Sequence, residues 1–185
     1  MISNTTAMAL SLAGALALPL PVAAQTGSGN GPASSVPSAT ATFVDTDGND
    51  IGSADLLQTA DGVLIRAEVE TLPAGSWVAF HIHETGTCDP ESGFKSAGGH
   101  FNPTERKHGY LSENGPHAGD MPNQYVAQDG ILRAEVLNPA VSLGQGDSNV
   151  MGLALVIHGG RDDYKSQPSG DAGDRVACAV IEGET

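Results

Sequence analysis

In the stretch Val63-Leu64-Ile65-Arg66-Ala67-Glu68-Val69, the residues Val63, Ile65, Ala67 and Val69 alternate with Leu64, Arg66 and Glu68. A period of two sends successive side chains to opposite faces of an extended chain, so this is a strand with one buried face, as in an antiparallel sheet. Leu132, Ala134 and Val136 repeat the pattern around Arg133 and Glu135. Between apolar runs stand Asp47-Gly48, Asp61-Gly62 and Asp129-Gly130, where glycine supplies the positive φ that a tight hairpin needs. Further strands are expected over residues 40–45, 51–59, 76–83, 124–127, 153–158 and 175–181. About eight short strands, with no amphipathic helix of useful length and no convincing internal repeat, imply an all-β sandwich or barrel.

The 185 residues carry 8 Lys and Arg against 22 Asp and Glu, a formal charge of -14. A chain this acidic is expected to bind no nucleic acid and no anionic membrane surface, because both demand clustered positive charge. Aromatics make up only 4% of the chain, so the core must come mainly from Val, Ile, Leu and Ala. Residues 1–24 carry no charge, and their apolar run over 7–20 leads to Pro21-Val22-Ala23-Ala24 before Gln25. This reads as a secretory signal peptide, although no Lys or Arg precedes the run. The run is too short and too interrupted by proline for a span of about 20 residues, so no stable membrane insertion of the mature protein is expected. Residues 25–38 read as a flexible Gly/Ser/Pro tether, which leaves a single domain over 39–185.

Two long stretches, 84–122 and 159–174, break the rhythm of strands, and loops of this length in a compact domain are usually functional or disordered. All six histidines lie between His81 and His158. His81 and His83 alternate with Phe80 and Ile82 at the end of an expected strand, which puts both imidazoles on one face; the alternative is a half-exposed pair without a ligand. His100, His108, His117 and Asp120 share one loop rich in glycine and proline. Three imidazoles and a carboxylate suit zinc, the alternative being a solvated polar loop. If the fold brings His158 beside His81, His83 and His100, four imidazoles would suit copper. His100 can serve both metals, since a deprotonated imidazole offers two lone pairs.

Phe80-His81-Ile82-His83-Glu84, Gly99-His100-Phe101-Asn102-Pro103, Arg106-Lys107-His108-Gly109, His117-Ala118-Gly119-Asp120, Val156-Ile157-His158 and the run from Gly170-Asp171-Ala172-Gly173 through Asp174-Arg175-Val176-Ala177-Cys178 resemble the successive motifs of the copper/zinc superoxide dismutases. The resemblance covers the whole domain, and the signal segment and long Cys-to-His stretch are similar to the bacterial exported branch. It implies an eight-stranded antiparallel Greek-key β-barrel with two long functional loops. It further implies copper, Cu(2+)/Cu(+), on His81, His83, His100 and His158, and Zn(2+) on His100, His108, His117 and Asp120. Asp162 would link His81 to His108, and Cys88 would pair with Cys178. In such an enzyme superoxide anion is dismuted to dioxygen and hydrogen peroxide, with His100 releasing and regaining copper and Arg175 drawing the anion in. The expected location is the bacterial periplasm, and a homodimer stays open.

One departure stands out. Gly159-Gly160-Arg161-Asp162 lacks the Glu-Lys that follows this histidine in many eukaryotic relatives, and the loop to Arg175 is shorter. Steering charges must then sit elsewhere, with Lys95 the first candidate and Lys165 the second. Two other readings compete: a non-catalytic exported copper/zinc-binding or metal-delivery domain on the same fold, and a secreted adhesion module with an incidental zinc site. The second leaves the use of all six histidines unexplained.

Overall fold

The structure, a computed structural model, describes residues 38–144 and 146–183. The expected signal segment over 1–24 and all but the last residue of the expected tether over 25–38 lie outside the described residues. The strands are β1 (Ser38–Asp45), β2 (Asp50–Thr59), β3 (Gly62–Val69), β4 (Trp77–Val78), β5 (Phe80–His83), β6 (Gln124–Tyr125), β7 (Leu132–Asn138), β8 (Ala154–His158), β9 (Arg175–Val180) and β10 (Glu182–Gly183). Alternation works as the sequence dictates: Val63, Ile65 and Val69 are fully buried while Arg66 and Glu68 face solvent.

All strand pairings are antiparallel, in the order β5-β8-β9-β1-β2-β3-β7, with β10 beside the start of β1. The short β4–β6 ribbon touches β7 through a bridge between Val126 and Leu132 and runs on from β4 into β5. The sheet thereby curls into the antiparallel Greek-key barrel that the resemblance implies. Its interior is filled by Phe43, Leu56, Ile65, Phe80, Leu155 and Ile157 among others, all without exposure.

The single strand expected over 76–83 is two. Ala79 separates them because its N–H donates to the Gly160 carbonyl at 2.8 Å while its own carbonyl accepts from His158 N–H at 3.0 Å. The chain changes partner there, from β6 to β8. The strand expected over 124–127 is shorter, since the Gly75 N–H is divided between the Val126 and Ala127 carbonyls. β10 has no counterpart among the expected strands. Among the described residues no helix is long and apolar enough to cross a membrane.

A second, smaller apolar cluster forms on the outside of β8 and β9, where Phe94 and Ala97 cover Ala154, Val156 and Cys178. β8 is therefore buried on both faces, which is why it reads as an unbroken apolar run. The Cys88–Cys178 disulfide, with Cα atoms 5.6 Å apart, fastens this cover across a sequence separation of 90 residues. Closing a loop of that length stabilises by about 4–5 kcal/mol in the chain-entropy picture.

Candidate metal centre

The site grows out of β5. Phe80 and Ile82 point into the barrel, so His81 and His83 point the other way, beneath the first long loop. That loop folds back along the free edge of β5. Ile82 N–H donates to the Gly119 carbonyl at 2.9 Å, and the Ile82 carbonyl accepts from Phe101 N–H at 2.8 Å. These bonds set His100 opposite His83 and Asp120 opposite His81. His158 arrives from the end of β8, where the register with β9 shifts and sets it against Arg175.

The six histidines and Asp120 come together as two groups sharing His100: His81, His83, His100 and His158 in one, His100, His108, His117 and Asp120 in the other. Within each, the ligand atoms lie within 4.8 Å of one another, and every residue is buried except His117, which is partly exposed. Hydrogen bonds fix which nitrogen each ring offers. His83 Nδ1 donates to the Gly98 carbonyl at 3.0 Å and His158 Nδ1 to the Gly173 carbonyl at 3.2 Å. A carbonyl only accepts, so both rings carry their proton on Nδ1 and present Nε2 lone pairs to each other at 3.4 Å. His81 gives Nε2–H to Asp162 Oδ2 at 2.8 Å, and its Nδ1 is buried with no partner. His100 Nε2 is likewise buried and unpartnered. Four imidazole nitrogens thus converge without a proton among them to bind, a donor set that fits copper.

In the second group Asp120 Oδ1 lies 2.8 Å from His100 Nδ1, 3.0 Å from His108 Nδ1 and 3.4 Å from His117 Nδ1. Its other oxygen is occupied by the N–H groups of Gly109 at 2.8 Å and His117 at 3.0 Å, which aims Oδ1 at the rings. Three nitrogens around one carboxylate oxygen fit a tetrahedral zinc ion. His100 alone shows one nitrogen to each group.

Asp162 stands between them, with Oδ2 on His81 and Oδ1 3.0 Å from His108 Nε2. Gly170 passes directly over it with φ 73°, and a Cβ there would collide with the carboxylate and with His108. Burial pushes the His81 ring down to about 3 and His158 to about 4, and it depresses His83 and His100 too. Burial also opposes charge on His108, but its hydrogen bonds to Asp120 and Asp162 outweigh that and hold it up at about 9. Burial opposes charge on both carboxylates, but hydrogen bonds from His100, His108 and His117 to Asp120, and from His108, His81 and the Tyr164 N–H to Asp162, keep them well below the usual range.

A cleft of about 550 Å³ opens over His100 and His158, lined also by Arg175, Lys95, Glu84 and Asp174. The Arg175 guanidinium donates to the Phe94 carbonyl at 2.5 Å and the Gly98 carbonyl at 2.6 Å, which fixes it at the cleft wall. Lys95 is therefore at the cleft. Lys165 is not among its lining residues, and its backbone N–H is held by Asp163 instead. Two contributors escape sequence reading. Asn123 holds the backbone of Asp162, donating to its carbonyl at 2.8 Å and accepting from its N–H at 2.8 Å. Gln167 holds the backbone of His108 in the same way, at 3.0 Å each. Nothing but their amide chemistry, in loops already marked by histidine, signals them.

Comparison with known proteins agrees with this geometry. The sequence profile of the family copper/zinc superoxide dismutase (SODC) matches residues 50–181. The chain is 54% identical over 146 residues to a copper-zinc superoxide dismutase of Aquifex aeolicus, covering 77% of this chain and 86% of that one. It is 41% identical over 151 residues to the copper-zinc superoxide dismutase of Caulobacter vibrioides, covering 78% and 86%. Among solved structures, a double mutant of a SOD-like protein from Bacillus subtilis superposes with a TM-score of 0.74 at 37% identity, over 78% of this chain and 97% of that one. With its donor sets, its disulfide and its barrel all on one chain, the protein belongs to the copper/zinc superoxide dismutase family.

Proposed function

We propose that this chain dismutes superoxide, two anions and two protons giving one dioxygen and one hydrogen peroxide. Copper would be held by His81 Nδ1, His83 Nε2, His100 Nε2 and His158 Nε2, and zinc by His100, His108, His117 and Asp120. The observation that carries the reading is the His100 ring, buried with one nitrogen in each group. When bound, copper supplies the one-electron couple, Cu(2+)/Cu(+), that zinc lacks.

The chain's own residues do the rest. His100 Nε2 is the atom that carries a proton between the two half-reactions, because Asp120 keeps the ring oriented through Nδ1 while Nε2 is free to change partner. Asp162 fixes the tautomers of His81 and His108 at once and so couples the two groups. Arg175, charged at any physiological pH, draws the anion to the cleft and orients it, with Lys95 assisting at the wall. A non-catalytic metal-delivery domain would have no use for a guanidinium pinned beside an open cleft.

The apolar leader over 1–24, the tether over 25–38 and the disulfide support export to a bacterial periplasm. A homodimer would be built on the exposed Trp77 and Tyr125, whose rings lie 5.4 Å apart on the β4–β6 ribbon. Reconstitution of the full chain with copper and zinc, followed by metal analysis and superoxide decay, tests the activity. Stoichiometric metals with rapid decay are expected; full metal content without decay would overturn the reading.

A further inference from the structure

The two long loops are joined by a reciprocal pair of amide clamps. Asn123, at the end of the first loop, grips the peptide backbone of Asp162 in the second. Gln167, in the second, grips the backbone of His108 in the first. A side-chain amide carries one donor group and one acceptor, as a peptide does, so each clamp reproduces the pair of bonds that a neighbouring strand would make. Gln167 Nε2 also reaches the Lys165 carbonyl at 2.9 Å and Ser112 Oγ at 3.3 Å, which fixes the amide before it meets His108.

Where the clamp falls matters. The His108 ring is tied at both ends, Nδ1 to Asp120 and Nε2 to Asp162, and a ring held twice tolerates little movement of its backbone. The following residue, Gly109, packs against the Tyr164 carbonyl so closely that a Cβ would not fit. The second loop therefore sets the place of His108 through Gln167 on one side and Asp162 on the other.

We propose that Gln167 is a positioning residue for His108, registering the second loop on the zinc group; this rests on the assignment of that group to zinc. Gln167 is itself exposed and lies outside both apolar clusters, so replacing it leaves the barrel intact. Outer partners of metal ligands typically change affinity by about 10–100-fold when removed, and a clamp acting through the backbone belongs at the lower end.

The test uses the full chain loaded with copper and zinc, and a second preparation with cobalt at the zinc position. Gln167→Met keeps the length of the side chain and loses both bonds to His108 together with those to Lys165 and Ser112; Ser166→Ala loosens the same loop by removing a hydroxyl bond to Asp163 without touching His108. Gln167→Met is expected to release zinc to a chromophoric chelator about tenfold faster and to shift the visible cobalt bands, while Ser166→Ala leaves both unchanged. Equal release rates and superimposable cobalt spectra for Gln167→Met and the parent would overturn the proposal. So would an equal effect of Ser166→Ala, which would make the clamp mere loop stiffness. A parent chain that binds no zinc would instead overturn the assignment of the group.

Discussion

His83 and Arg175 share one acceptor: the Gly98 carbonyl takes His83 Nδ1–H at 3.0 Å and an Arg175 guanidinium N–H at 2.6 Å. A ring of the copper group and the charge at the cleft are thus registered on the same backbone atom. Replacing Arg175 by Ala removes the charge but leaves His83 its partner. The rate of superoxide decay is expected to fall about 10–100-fold and to lose much of its salt dependence, with copper and zinc contents unchanged. An unchanged rate would show that the guanidinium does not serve the anion.

Asp174 immediately precedes Arg175 and lines the same cleft with its side chain exposed. Its carboxylate opposes an incoming anion that already has to approach a protein of charge -14. Asp174→Asn is expected to raise the second-order rate by roughly two- to fivefold at low ionic strength, the gain vanishing as salt screens the cleft. Rates measured across a salt series decide it; a gain that persists at high salt would point to shape rather than charge.

The metal-free chain should lose stability in acid. His158 at about 4 and His81 at about 3 bind protons less readily folded than unfolded, where the ordinary value is 6.5. Their contribution is whole above pH 6.5 and is lost as the pH falls through 4 toward 3. His108, at about 9, works in the opposite sense: its contribution is full below pH 6.5 and lost as the pH rises through 9. Each group changes stability by up to about 1.4 kcal/mol per pH unit inside its window. Thermal unfolding of the metal-depleted chain should therefore show a midpoint that is highest near pH ~6.5, falls steeply as the pH drops toward ~3 and declines more gently as it rises toward ~9. A flat acid limb would mean that the rings are not held neutral.

The disulfide supports the cleft as well as the barrel. Cys88 fastens the segment whose Phe94 and Gly98 carbonyls hold Arg175. Cys88→Ser with Cys178→Ser is expected to cost up to about 4–5 kcal/mol of stability. Activity should also fall below that of the oxidised chain at temperatures where both are folded, because the guanidinium loses its fixed acceptors. Denaturant midpoints and rates on the same samples separate the two effects.

Much of this was legible before any coordinates. The alternation from Val63 to Val69 and the Asp-Gly pairs have local causes, so the meander β1-β2-β3 and its partner β7 follow from them. The histidines announce themselves by type and by their confinement to one loop and two strand ends. What stayed hidden depends on partners distant in sequence. The break at Ala79 arises because Gly160 and His158 claim its two backbone groups. Asn123 and Gln167 act on peptide groups, which every residue possesses, so no pattern of side chains could reveal them. Phe94, which covers the outer face of Ala154-Leu155-Val156-Ile157, likewise comes from a loop distant in sequence. That Lys95, the first steering candidate, lines the cleft while Lys165, the second, lies outside its wall is set by the fold and not by residue type.

β5 ends the order of paired strands, and an unpaired strand edge is a template on which another chain can add itself. Here the edge is occupied: Ile82 spends its N–H on Gly119 and its carbonyl on Phe101, and Glu84 N–H goes to Gly99. The segments that carry His100 and Asp120 are thus also the guard against chain-to-chain sheet growth. Metal loading and resistance to aggregation are consequently properties of one stretch of backbone, and a chain that loses order around His100 bares the side of the barrel best suited to recruit its neighbours.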